Sequence, residues 1–263
     1  MIPTNTSSIA ENKNKFGLFH TGYRLSPKEQ TYECGICRDQ EIIQIGTDQF
    51  EQPIFGECNC KAKKNAARRL KSSGLTEVQL DYKLTDYKVN SNNKTMFDGV
   101  KRYLKVWPDL INSNSQAKGF CLVGTPGVGK TMLSCIIAKD MIVKNIAVVF
   151  VPSTDLIAEL KQAQFEKDRD NIEAKIDALA KAPALILDDI GKEKITEWVQ
   201  AMYYRLIDLR YRNNLLTGFS SNYYPKELED MLGDYGGPTM SRLLGMSKNF
   251  ILNCDDFDHR IEE

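Results

Sequence analysis

Residues 124–131 read Gly-Thr-Pro-Gly-Val-Gly-Lys-Thr, preceded by the apolar run Gly119-Phe120-Cys121-Leu122-Val123 and followed by Met132-Leu133-Ser134-Cys135-Ile136-Ile137-Ala138. The order is strand, glycine loop, helix. It constrains the fold strongly, because a G-x-x-x-x-G-K-T loop works only where its N–H groups and the positive end of a helix converge on a phosphate chain. Gly124, Gly127 and Gly129 supply the tight backbone conformations, and Thr125, Pro126 and Val128 complete the cradle. In this reading Lys130 reaches the β- and γ-phosphates and the Thr131 hydroxyl is a magnesium ligand.

Beyond residue 119 strand-like runs alternate with helix-length segments. The runs are 119–123, 147–151, 184–187, 215–220 and 249–253. This alternation predicts a three-layer α/β domain with a mainly parallel sheet. Ala184-Leu185-Ile186-Leu187-Asp188-Asp189 is an apolar strand ending in two carboxylates, 57 positions beyond Thr131. A buried strand delivers Asp188 to the carboxyl edge of the sheet, where it holds Mg²⁺ or its waters, and the next residue faces the γ-phosphate. Related ATPases usually carry Glu there. Asp189 is one methylene shorter, and because attack geometry is sensitive to about 1 Å, slow hydrolysis is expected unless a partner adjusts the site. Glu193 is an alternative base or a solvated residue before a helix.

On the next strand Asn222 is a candidate sensor of the γ-phosphate or the attacking water; the competing reading is an Asn that caps the turn before Tyr223-Tyr224-Pro225. Arg242, in Ser241-Arg242-Leu243, is a candidate finger for a neighbouring subunit's site, with Arg210, Arg212 and Arg260 as rivals.

Cys34-x-x-Cys37 and Cys58-x-Cys60 are separated by 20 residues. Four thiolates suit a tetrahedral zinc, with other cysteine roles and an iron–sulfur cluster as alternatives. The enclosed Glu41–Ile45 run reads as a hairpin strand that a metal would staple. Seven cysteines, an odd number, argue against a disulfide framework; Cys121, Cys135 and Cys254 read as buried thiols. Lys61–Lys71 is a basic amphipathic helix, with Ala62, Ala66 and Leu70 on one face, Lys61, Lys64, Arg68 and Lys71 on another, and Gly74 as its stop. A further helix is expected through Met96–Trp107. The domain organisation is then a polar arm over 1–30, a cysteine module with its basic helix over 31–74, and the nucleotide domain over 75–263. Cations and anions balance at 35 each, so any basic surface must be local. Neither a signal pattern nor an apolar run of about 18–20 residues is present, and a cytosolic, non-membrane protein is expected.

Taken together, these motifs resemble the bacterial and phage DnaC/DnaI-like replicative helicase loaders, AAA+ proteins of the DnaA-related initiator group. The resemblance runs from Thr31 to Arg260 and rests on residues 124–131, 185–193, 220–222 and 241–243 and on the cysteine module running into a basic helix. It implies a weak ATPase that uses ATP, Mg²⁺ and Zn²⁺ and self-associates through AAA+ interfaces. Its partners would be a DnaB-type helicase, gripped by the zinc module, and single-stranded DNA. The DNA-contacting positions it implies are Phe165, Thr196 and Trp198; both rings also fit packing roles, and Lys161, Lys167 and Arg169 are interleaved with acids as on a solvated helix. Arg260 matches the family's second sensor. Two other readings are an IstB-like transposition helper, a group similar in its ATPase but without the cysteine module, and a non-catalytic interaction protein switched by ATP, which Asp189 motivates.

Overall fold

The computed structural model describes residues 32–254 of the chain. The expected arm over 1–30 and Arg260 lie outside them. Two compact units divide after Cys58.

In the first unit Ile42–Thr47 (β1) and Pro53–Glu57 (β2) pair antiparallel. Asp48 builds the turn, its Oδ1 accepting from the N–H groups of Phe50 and Gln52 at 2.8 and 2.9 Å. The strand expected at 41–45 is thus one arm of a hairpin. Ile42, Ile45, Ile54 and Phe55 are exposed, so the hairpin buries little of its own, and two isolated strands are marginal in water.

The second unit opens with Cys60–Ser72 (α1), Glu77–Asp81 (α2) and Lys94–Ile111 (α3). Its sheet comprises Cys121–Gly124 (β3), Val148–Pro152 (β4), Ala184–Ile190 (β5), Leu216–Ser221 (β6) and Ile251–Cys254 (β7), all parallel, in the order β4-β5-β6-β3-β7. The five expected strands are present, with ends displaced by at most three residues. Leu122 and Ile186 face one apolar layer, while Cys121, Val123, Leu185 and Leu187 face the other. Both sheet faces are covered, which is why the strands read as unbroken apolar runs.

Lys130–Val143 (α4) lies in the first layer with α3, and its Leu133, Ile137 and Met141 are fully buried. Ser153–Phe165 (α5), Arg169–Lys181 (α6), Glu197–Arg212 (α7), Pro225–Met231 (α8) and Gly236–Ser247 (α9) form the second. Among the described residues no helix is long and apolar enough to cross a membrane.

Helix α1 shows where sequence grouping and spatial grouping differ. The sequence groups it with the cysteines, whereas the fold divides at Cys58 and places α1 with the sheet. Leu70 packs against the first layer, and Phe150 N–H donates to Ser73 O at 2.7 Å. Gly74 ends the segment at φ 86°, where a Cβ would lie 2.2 Å from Phe150 O. Ala62, expected on the apolar face, is exposed.

Candidate nucleotide site and cysteine cluster

Gly124 of β3, Asp188 of β5 and Ser221 of β6 end at the carboxyl edge of the sheet, where open parallel sheets bind ligands. Gly124, Gly127 and Gly129 turn the chain into α4 with φ of 144°, 84° and 85°. A Cβ on Gly124 would lie 1.8 Å from Cys254 O, and one on Gly129 2.6 Å from the Tyr87 ring. Only glycine fits either place. The loop runs straight into the first turn of α4, whose N–H groups have no partner within the helix and suit an anion.

Lys130 is buried, its Nζ donating to Gly124 O and Thr125 O at 2.8 Å each and to Asn222 Oδ1 at 2.7 Å. Thr131 Oγ1 donates to Asp188 Oδ2 at 2.8 Å, and Ser220 Oγ donates to Asp188 Oδ1 at 2.6 Å. Burial pushes the Asp188 carboxyl above the usual range, against the opposing effect of these two hydrogen bonds. A hydroxyl beside a carboxylate, both oxygen donors, is a donor set that fits Mg²⁺.

Asp189 has φ 61°, and the β5–β6 ladder changes register between Leu187 and Ile190. A non-glycine residue in this region carries backbone strain and is held by its surroundings. Here Ser220 Oγ accepts from Asp189 N–H at 2.9 Å and Ser153 Oγ donates to Asp189 O at 2.8 Å. The kink brings Asp189 Oδ1 within 2.6 Å of Asn222 Nδ2, and Lys192 Nζ lies 3.3 Å from Oδ2. Asn222 therefore bridges Lys130 and Asp189. The turn after Asn222 is held by other side chains: Ser221 Oγ accepts from Tyr223 N–H at 3.0 Å and Glu227 from Tyr224 N–H at 2.7 Å.

Glu193 is neither solvated nor directed at the loop. Its carboxylate accepts from the Tyr203 hydroxyl and lies 2.8 Å from Ser153 Oγ, whose single proton it shares with Asp189 O. Burial, followed by the neighbouring Glu193 charge, pushes the Tyr203 hydroxyl well above its ordinary range. Sequence reading misses Ser153 and gives Ser220 no role; the only signal is a run of hydroxyls at the end of an otherwise apolar strand.

Arg242 stands apart from the loop on α9, donating to Asp208 Oδ1 at 3.0 Å and Pro238 O at 2.9 Å, with its guanidinium over the Tyr204 ring. Arg212 pairs with the same Asp208. Arg210 is fully buried and donates to Thr217 Oγ1 and to the carbonyls of Leu179, Ala182 and Leu216. Desolvation draws its guanidinium down to about 9. Buried in this way it cannot reach another subunit, which removes it as a finger candidate.

Thr196 caps α7, its Oγ1 accepting from Val199 N–H at 3.4 Å. Trp198 is half-buried against the second layer, and with Lys167, Arg169, Met202 and Arg205 it lines a groove of about 700 Å³. Phe165, at the end of α5, is 84% exposed and so is not a core residue.

The sulfurs of Cys34, Cys37, Cys58 and Cys60 all lie within 4.8 Å of one another, with Cys34 and Cys58 at 3.8 Å. Bonds of ~2.3 Å to one tetrahedral zinc would set the sulfurs about 3.8 Å apart. The cluster fits one such ion, whereas a cluster of several irons holds its cysteines farther apart. The tight turn is made by Arg38 and Asp39, both at positive φ, with the Asp39 carboxylate accepting from Glu33 and Cys34 N–H. Cys121, Cys135 and Cys254 are buried elsewhere and form no disulfide; burial pushes Cys135 up to about 12.

Residues 63–241 match the family described as IstB-like ATP binding protein. Over 217 residues the chain is 26% identical to the replicative helicase loader DnaI of Bacillus subtilis, covering 76% of this chain and 68% of that protein. It shares 30% identity over 150 residues with an insertion sequence IS21 ATP-binding protein of Pseudomonas aeruginosa, 56% of this chain and 54% of that one. The crystal structure of the DnaC helicase loader superposes with a TM-score of 0.56 at 25% identity, covering 68% of this chain and 99% of that one. The architecture is that of an AAA+ phosphate-loop domain, and the cysteine cluster precedes the matched segment. With the phosphate loop, Asp188 and Asn222 all inside that segment and helicase loaders among its relatives, the chain belongs to the IstB-like ATP-binding protein family.

Proposed function

We propose that this protein is an ATP-dependent loader that holds a DnaB-type replicative helicase and places it on single-stranded DNA. The observation that carries this reading is the presence, in one chain similar to DnaI and DnaC, of a four-sulfur cluster and a phosphate-loop site wired through Asn222. Residues 124–129 and Lys130 would hold the β- and γ-phosphates, and Thr131 and Asp188 the Mg²⁺. The base would enter the hollow of about 180 Å³ lined by Asp86, Tyr87, Val128, Gly129 and Met132. Tyr87 is pre-positioned there, donating to Val128 O at 2.7 Å and stacking on Phe97.

Bound Mg²⁺ supplies charge neutralisation at the phosphates. Asp189 orients the attacking water and accepts its proton. Asn222 and Lys192 hold its carboxylate in place, and because that side chain is one methylene short, turnover is slow and waits on a partner. Arg242 serves a neighbouring subunit only after exchanging Asp208 for that subunit's phosphates, and Arg260 is the second sensor. Cys34, Cys37, Cys58 and Cys60 hold zinc, fixing the hairpin that grips the helicase. Phe165 and Trp198, with Thr196 between strand and helix, meet the DNA bases, which stack on aromatic rings.

Purified protein should form a complex with a DnaB-type helicase, and Cys34→Ser with Cys37→Ser should abolish it while ATP binding persists. An unchanged complex would refute this role for the cluster. Turnover in the presence of DNA and helicase that equals a Lys130→Ala control would remove the enzymatic reading. The IS21 relative favours a second reading, a transposition helper that coats duplex DNA; preference for long duplex over single strands would select it.

A further inference from the structure

Asp188 and Asp189 follow one another on β5, and alternation along a regular strand would send their side chains to opposite faces of the sheet. Both nevertheless turn to the phosphate loop, one directly and one through Asn222. Asp188 Oδ2 accepts from Thr131 Oγ1 at 2.8 Å, while Asp189 Oδ1 accepts from Asn222 Nδ2 at 2.6 Å and Asn222 Oδ1 accepts from Lys130 at 2.7 Å. The register explains this convergence. Leu187 pairs with Phe219 and Ile190 with Ser221, so two residues of β5, Asp188 and Asp189, stand opposite the single Ser220 of β6. Two residues against one is a β-bulge, rare between parallel strands, which bends the strand, re-aims a side chain and leaves a backbone group without its ladder partner. Here it takes Asp189 to φ 61°.

The Ser220 hydroxyl fills the break in both directions. It accepts from Asp189 N–H at 2.9 Å and donates its one proton to Asp188 Oδ1 at 2.6 Å. Ser220 is 1% exposed and Asp188 5%, so water has little access to replace either bond. Leaving a buried donor or acceptor unmet costs its full desolvation. Holding Oδ1 also fixes the orientation of the carboxylate, because Oδ2 is then left beside the Thr131 hydroxyl, where the donor pair that fits Mg²⁺ lies.

We infer that Ser220 is a positioning residue whose single hydroxyl sets both the metal-holding carboxylate and the water-orienting one. This rests on the reading of Asp188 as a Mg²⁺ ligand and of Asp189 as the group that orients water. Ser220 acts through the two aspartates, as a hydrogen-bond partner behind a ligating carboxylate does, and such partners typically govern metal affinity or activity by about 10- to 100-fold.

The test compares Ser220→Ala and Ser220→Thr with wild type in two measurements: binding of a fluorescent non-hydrolysable ATP analogue across a Mg²⁺ series, and single-turnover hydrolysis at saturating Mg²⁺. Ser220→Ala should raise the Mg²⁺ half-point by about 10- to 100-fold, with affinity for the Mg²⁺-free analogue unchanged. Its hydrolysis rate at saturating Mg²⁺ should fall by about 10²-fold as Asp189 is released, with half-saturating ATP within about twofold of wild type. Ser220→Thr keeps the hydroxyl and should stay closer to wild type than Ser220→Ala in both measurements; the reverse order overturns the inference. Thr217→Ala removes another buried hydroxyl from the same strand, one that serves Arg210 and not the aspartates, and should change neither measurement. Asp188→Ala should abolish the Mg²⁺ dependence and Asp189→Asn the hydrolysis; failure of either control refutes the reading of that aspartate, and the role of Ser220 with it. Controls that behave as expected beside an unmoved half-point in Ser220→Ala overturn the role of Ser220 alone. A metal shift with an unchanged rate would leave Ser220 a support for Asp188 only, and equal effects from Thr217→Ala would make the change one of stability; either result overturns the coupling.

Discussion

Asn222 joins two groups with opposite demands, so its replacement should split affinity from turnover. Gly124 O, Thr125 O and Asn222 Oδ1 each accept from Lys130 Nζ, which has three N–H donors. A phosphate oxygen that Lys130 reaches must displace one of them, and Asn222 is the only side chain among the three. A hydrogen bond to a charged group contributes about 1.5–3 kcal/mol. Asn222 is half-buried, so water takes part of its place and the lower end applies. Asn222→Ala should therefore tighten Mg-ATP binding by about 10-fold. The same change frees Asp189, whose Oδ1 takes the other Asn222 hydrogen bond at 2.6 Å. Loss of one preorganised group at a reacting centre typically costs about 10²–10³ in rate. Fluorescent-nucleotide titration and single-turnover hydrolysis measure the two effects separately. Affinity that weakens in parallel with turnover would refute the reasoning, because Asn222 would then be a phosphate ligand and not a competitor for Lys130.

Zinc analysis of the purified chain should find one ion per molecule, and chelation should unfold the hairpin unit without loss of ATP binding, as expected where a metal replaces a core; retention of helicase binding after chelation would count against it. Arg210→Met leaves the carbonyls of Leu179, Ala182 and Leu216 without that donor, so urea unfolding should show a loss of about 3 kcal/mol or more, and a loss below ~1 kcal/mol would show that the site relaxes. Phe165→Ala should change stability by less than ~0.5 kcal/mol, as at most exposed positions. It should weaken single-stranded DNA binding by about 1–3 kcal/mol, and unaltered affinity would remove Phe165 from the DNA surface. Asp189→Glu, which extends the carboxylate by one methylene, should raise turnover by about 10-fold or more; an unchanged rate would place the limit elsewhere than in attack geometry.

The sequence by itself determined the strands and the phosphate loop, because both are written in contiguous residues. A parallel strand covered on both faces needs an uninterrupted apolar run, and the loop needs glycines at 124, 127 and 129 where φ is positive. The cysteine spacing likewise predicts four converging thiols, and the fold gathers those sulfurs within 4.8 Å of one another. What no local pattern contains is the choice of distant partner. Lys130 meets Asn222 across 92 positions and Asp188 meets Ser220 across 32, pairings created by the strand order β4-β5-β6-β3-β7. Arg210, between Leu209 and Tyr211, reads as an ordinary helical arginine until α6 and β6 close over it. Glu193 looked solvated until α5 and α7 supplied Ser153 and Tyr203. Helix α1 begins at Cys60 but packs with the sheet through Leu70, with Gly74 close against Phe150 O. Hydrogen-bond partners and burial depend on which surfaces the packed layers bring together, and only the tertiary structure decides that.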